Sequence, residues 1–119
     1  MLGESIALTH NSVSKSVSRI NNDLYSGEYL LRTATEELLL TTKHIKESPR
    51  KGELPFERHL IELKVTTFAT LTVAETTHVV TFTVRTRRGS DPADALKAAK
   101  ALLGWTTDAN VTKLIAWES

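Results

Sequence analysis

The chain has 119 residues, no cysteine, a formal net charge of +1, 40% hydrophobic and 24% charged residues. That is the size of one domain, 1–119, with the composition of a folded globular protein. Without cysteine there are no disulfides, no thiolate zinc site and no thiol redox chemistry. The apolar runs are too short for a membrane span and Met1–Ser5 lacks a signal-peptide pattern, so a reducing cytoplasm is the expected compartment.

Charge is unevenly placed. Lys43 to Arg88 holds nine basic residues against five acidic ones, while the remainder holds six basic against nine acidic. A basic middle fits a surface that meets an anionic partner, and equally fits scattered solvated charges.

Threonine is abundant, at 17 residues; it and valine favour pleated, half-buried surfaces. In chain order, Ser5–Thr9 and Ser12–Arg19 flank His10-Asn11 and predict a hairpin. Asn21-Asn22-Asp23 and Ser26-Gly27 mark a turn before a strand over Glu28–Thr33. The run Glu36–Ser48 ends at Pro49, and Pro49–Glu53 predicts a polar loop. On the next strand Glu57, His59, Ile61, Leu63, Val65 and Thr67 share one face, and Arg58, Leu60, Glu62, Lys64 and Thr66 share the other. Phe68–Glu75 is a connection. Thr76–Arg87 then sets His78, Val80, Phe82 and Val84 opposite Val79, Thr81, Thr83 and Arg85.

After Gly89 the pattern turns helical. Asp91 is an N-cap, Pro92 suits the first helical position and Asp94 adds a first-turn carboxylate. Ala95, Leu96, Ala99, Leu102 and Leu103 recur at helical spacing, with Gly104 expected as a left-handed C-cap. A second helix starts at Asp108 with Val111, Leu114 and Ile115 on one stripe, bracketed by Trp105 and Trp117. Strands followed by helices predict an α+β fold. Two short helices cannot cover a sheet of five or more strands, and the last strand has no later partner, so a two-fold dimer is expected.

Chemistry is sparse. His10, His44, His59 and His78 form no metal-spaced motif, and His59 and His78 fall in phase with apolar positions. There is no phosphate loop, no GxSxG elbow and no cysteine nucleophile. The sequence predicts neither an enzyme nor a cofactor or metal. Arg58, Lys64 and Arg85 among threonines, with Lys43 or Lys46, suit contacts to structured RNA.

Several stretches carry a resemblance. His44-Ile45-Lys46-Glu47-Ser48, Phe56–Leu63, Lys113–Ser119 and Ile20–Leu30 look like coat proteins of the small single-stranded RNA bacteriophages, closest to the branch infecting Caulobacter. The resemblance implies an N-terminal hairpin, a five-stranded antiparallel sheet and two C-terminal helices, in an interlocked dimer with a ten-stranded sheet. Such dimers close into a quasi-equivalent icosahedral shell, assembled in the bacterial host cytoplasm, with the sheet facing packaged genomic RNA. In the family this face also binds an RNA hairpin and represses replicase translation.

Carried onto this chain, the RNA-binding residues are Thr42, His44, Lys46, Arg58, Glu62, Lys64, Thr81, Thr83 and Arg85, flanked by Leu60 and Val79. The phase from Leu38 to Ile45 has two solutions, one of which exchanges Lys46 for Lys43. The last strand lacks the tyrosine that well-known hairpin-binding relatives stack on a base. The alternatives are a stand-alone dimeric RNA-binding regulator that forms no shell and a small-molecule enzyme on a dimeric sheet.

Overall fold

The computed structural model describes all residues except 1, 2, 24, 48–51, 53, 54, 118 and 119. Six strands precede two helices: β1 Ser5–His10, β2 Val13–Asn22, β3 Ser26–Arg32, β4 Glu36–Lys46, β5 Phe56–Thr67, β6 Thr76–Arg87, α1 Pro92–Trp105 and α2 Asp108–Ile115. The strands form one antiparallel meander in sequence order. The architecture is α+β with six strands; the N-terminal hairpin is continuous with the sheet, not an addition to five strands. Apart from Gly52, the predicted Pro49–Glu53 loop lies outside the described residues.

Local chemistry sets the turns. The first hairpin turns at Asn11-Ser12, one residue later than the sequence suggests, with φ of 53° and 60°. Two consecutive left-handed residues give a turn whose twist matches the flanking strands, and asparagine tolerates that region better than most residues. Between β3 and β4 the Thr33 hydroxyl accepts from the Glu36 amide at 3.1 Å, while the Thr33 amide donates to the Glu36 carbonyl at 2.8 Å. Thr70 and Val73 repeat the device in the β5–β6 connection. Short polar side chains close these turns by standing in for backbone partners.

The sheet curls because β2 carries a register shift between Arg19 and Asn21 against β3. The extra residue, Ile20, locally increases strand twist. The hairpin then closes over one face of β3–β5, the hairpin-side face. Val17 from β2 joins Tyr29, Leu38, Leu40 and Val65 in the buried core, with Ile6 and Leu8 of β1 packed against it. Two polar anchors hold the closure. Lys15 pairs with Glu36 at the start of β4, and Tyr29 Oη donates to the Gly3 carbonyl at 2.9 Å.

The register settles the phase of β4. Leu38 lies opposite Val65, Leu40 opposite Leu63 and Thr42 opposite Ile61, so the even-numbered residues share the core's face. Thr42, His44 and Lys46 therefore lie on the hairpin-side face, and Leu39, Thr41, Lys43 and Ile45 lie on the other, the open face. Three successive leucines left both phases available. Burial of Leu38 and Leu40 beneath the hairpin selects one.

The helices have their predicted starts. Asp91 accepts from the Ala93 amide at 3.0 Å, and Thr107 caps α2 by accepting from Asn110 at 3.4 Å. Gly104 remains inside α1, contrary to expectation. The Thr106 hydroxyl, donating to the Leu103 carbonyl at 2.6 Å, closes the helix without a left-handed glycine. The start of α1 lies over the hairpin-side face of β6, where Ala95 and Ala99 approach Phe82 and Val84 around a space of about 230 Å³. No described residue of either helix is buried.

Truncating Leu38 to Ala should cost about 2–5 kcal/mol, because the hairpin cannot collapse into the void. The same change at Leu39, on the open face, should cost about 1 kcal/mol. Urea denaturation of the two variants tests the β4 phase directly.

Candidate nucleic-acid interface

The open face draws its side chains from alternate positions of β4, β5 and β6. Opposed pairs across the sheet include Lys43 with Leu60, Thr41 with Glu62, Arg58 with Arg85, Glu62 with Thr81 and Leu60 with Thr83. Six of the nine sequence-predicted residues are thus brought together: Arg58, Glu62, Lys64, Thr81, Thr83 and Arg85. Thr42, His44 and Lys46 are on the opposite face, and Thr42 is buried. Lys43 and Thr41 occupy the β4 positions that the sequence reading gave to Lys46 and Thr42.

One carboxylate organises the basic end. Glu47 follows β4, and its amide donates to the Phe56 carbonyl at 2.9 Å, which keeps it in strand phase with Lys43 and Ile45. Its two carboxylate oxygens accept from Arg85 Nε at 2.6 Å and Arg58 Nη2 at 3.2 Å. Arg85 also lies 3.8 Å from the centroid of the Phe56 ring, and Arg87 lies 5.2 Å from it. Stacking on an aromatic and pairing with a carboxylate hold the planar guanidinium in a defined orientation.

Two guanidiniums against one carboxylate leave a surplus of positive charge. The hydrogen bond from Arg85 is the main reason the Glu47 carboxyl is held below its ordinary value of 4.5; the charges of Arg85 and Arg58 act in the same direction, and partial desolvation opposes them. At the other end Lys64 is exposed, and no carboxylate among the described residues pairs with it. Exposed Thr81 and Thr83 hydroxyls lie between the two basic ends. The face can therefore offer directed guanidinium donors, a mobile ammonium and neutral hydroxyls to an anionic, hydrogen-bonding surface.

Phe56 and Glu47 were absent from the sequence-predicted set. Phe56 shares the phase of Arg58 and opposes Arg87, so strand alternation carried that signal. Glu47 had none, because its position depends on the chain continuing in strand geometry past the last ladder pair. Among the described residues, no group of three or more histidines, aspartates and glutamates could hold a metal ion.

A curled antiparallel meander followed by two surface helices, with a basic, threonine-rich open face, defines an α+β protein with a sheet face suited to an anionic partner. A chain from the virus-like particle of bacteriophage ESE058 shares the fold, with a TM-score of 0.63, 96% of this chain and 94% of that chain covered, and 12% sequence identity. The profile of the phage phiCb5 coat protein family matches residues 3–87, and this chain belongs to that family. The matched region runs through all six strands and ends before α1. No curated protein matches the sequence. The chain is a structural, non-enzymatic protein of the phage capsid.

Because the Glu47 carboxyl is held low in the folded chain, its stabilising contribution is complete above pH 4.5 and is lost as the pH falls through the depressed value. Glu47→Gln should therefore show a shallower loss of stability on acidification than the parent chain. Denaturant midpoints measured from neutral pH to about pH 3 test this.

Proposed function

We propose that this chain forms a two-fold dimer, that the dimers close into an icosahedral shell, and that the open face of the sheet binds the packaged single-stranded RNA. The observation that carries this reading is the large apolar surface left without a partner. Val80 on the edge strand β6 is 66% exposed, Ile115 74% and Trp117 94%, with Leu96, Leu102, Leu103, Trp105 and Leu114 also exposed. Scattered exposed leucines are ordinary; a run of them along two helices and one sheet edge marks an interface.

The dimensions support the same reading. The chain measures 58 × 37 × 25 Å with a radius of gyration of 17.2 Å, against about 13.5 Å for a compact domain of this length. The hairpin covers only the β3–β5 part of its face. The remainder, over β6, needs apolar cover from a second copy. Pairing β6 with its symmetry mate joins the two sheets into twelve strands and removes the free edge. The helices of each subunit then reach over the other.

Contacts between dimers are assigned to the β5–β6 connection, where Leu71 and Val73 are exposed at the tip. RNA attachment is assigned to Lys43, Arg58, Lys64 and Arg85, with Thr81 and Thr83 supplying neutral hydrogen bonds. Phe56 is engaged by Arg85 and Arg87, and β6 has no tyrosine to stack on a base. Those features favour electrostatic packaging over selective hairpin recognition, and replicase repression is the secondary role in this reading. Assembly takes place in the cytoplasm of the bacterial host.

Size-exclusion chromatography with light scattering and 260/280 absorbance tests the proposal. The expected result is a megadalton particle carrying RNA. An RNA-bound dimer that never assembles would instead identify a stand-alone regulator. Leu103→Asp with Ile115→Asp should abolish the dimer while leaving the β-rich circular dichroism spectrum intact, because neither residue belongs to the buried core. Lys64→Ala with Arg85→Ala should leave the dimer intact and reduce nuclease-protected RNA. The slope of log affinity against log salt should fall by about 0.7 for each phosphate contact removed.

A further inference from the structure

On the hairpin-side face, beyond the core, His44 and His59 occupy directly opposed positions of β4 and β5. Their Nδ1 atoms are 2.8 Å apart, and the rings meet edge to face at 63° with centroids 5.1 Å apart. A hydrogen bond between two imidazole nitrogens requires one to carry the proton and the other a bare lone pair. The Glu57 carboxylate lies 3.8 Å from His59 Nε2, an electrostatic contact and not a hydrogen bond, and either histidine can be the donor. Moving the shared proton to an outer Nε2 leaves both Nδ1 atoms bare, 2.8 Å apart, without changing the net charge.

Two bare imidazole nitrogens this close on adjacent strands form a bidentate ligand once the rings turn toward a common ion. We propose that His44 and His59 chelate a divalent transition metal of the zinc class, linking β4 to β5. Imidazole suits zinc, copper and nickel, whereas magnesium and calcium prefer oxygen ligands. The pair borders a cavity of about 250 Å³ lined also by Tyr25, Ile45, Lys46 and Glu57, which leaves room for water at the remaining coordination positions.

The named charges around the pair sum to one net positive charge. Glu57 supplies a negative charge but is shared with Arg88 at 3.3 Å, and Lys46 lies 5.9 Å from the Tyr25 ring centroid. Two protein ligands make an open chelate, not a closed structural site. Glu57 acts here as a positioning residue, because a partner on the outer nitrogen orients a ligating imidazole and raises its basicity. The pair lies on the hairpin-side face, opposite the face proposed for RNA.

Titration of the purified full-length chain with zinc chloride, followed by calorimetry and by imidazole NMR resonances, tests the proposal. In the unmodified chain the resonances of His44 and His59 should shift, while those of His10 and His78 stay in place. His44→Ala and His59→Ala should each abolish the saturable heat, with circular dichroism confirming the fold. His78→Ala should retain it. Glu57→Gln should weaken binding about tenfold. Zinc binding that survives loss of both histidines, equal binding of magnesium, or the absence of any shift at His44 and His59 would overturn the assignment.

Discussion

The rest of this structure depends on how one apolar sheet face is kept from water. Six strands in a meander present far more apolar surface than two short helices can cover, and the chain divides the task. The β1–β2 hairpin curls over β3–β5, held by Val17, Ile6 and Leu8 in the core and by Lys15 on Glu36 at the rim. Beyond the Phe82–Val84 stretch that α1 overlies, the β6 edge and the outer faces of the helices have no such cover within the subunit. The same constraint thus accounts for the buried core and for the exposed leucines and tryptophans.

That division separates two kinds of surface on one sheet. Where the hairpin closes, opposed leucines and valines are sealed and, among the described residues, only Thr42 of the polar side chains is buried with them. On the reverse of the same strands, Arg58 and Arg85 share a single carboxylate and Phe56 supports the guanidiniums. Because successive side chains on a strand point to opposite faces, each residue committed to the core sets its neighbours toward the open face. A basic surface and an apolar core are two readings of one register. A one-residue slip would exchange Lys43 for Lys46 and expose Leu38 and Leu40.

Membership of the phage coat family fits this economy. A shell subunit has to leave apolar surface unsatisfied until it meets its copies, and it needs little chemistry of its own. The chain has no nucleophilic elbow or phosphate loop, and its polar devices are structural: threonine-closed turns, an aspartate and a threonine cap, and arginines oriented by Glu47.

Much of the architecture was legible in the amino-acid order. Alternation from Glu57 to Thr67 and from Thr76 to Arg87 identified both long strands and their faces, because Ile61, Leu63 and Val65 share one side of the first and Val80, Phe82 and Val84 one side of the second. Asp91, Pro92 and Asp108 marked the helix starts, because the signals at helix ends are local chemistry. Leu38-Leu39-Leu40 carried no such information, since a uniform apolar run satisfies either phase. The curl over β3, the placement of Lys43 beside Arg58 and Arg85 on one face, the bridging role of Glu47 and the meeting of His44 with His59 were decided only in the tertiary structure. Each depends on residues distant in sequence being aligned by the β4–β5 register and the β2 bulge. Local propensity can specify that a segment is a strand, but which side of it faces water is settled by what packs against it.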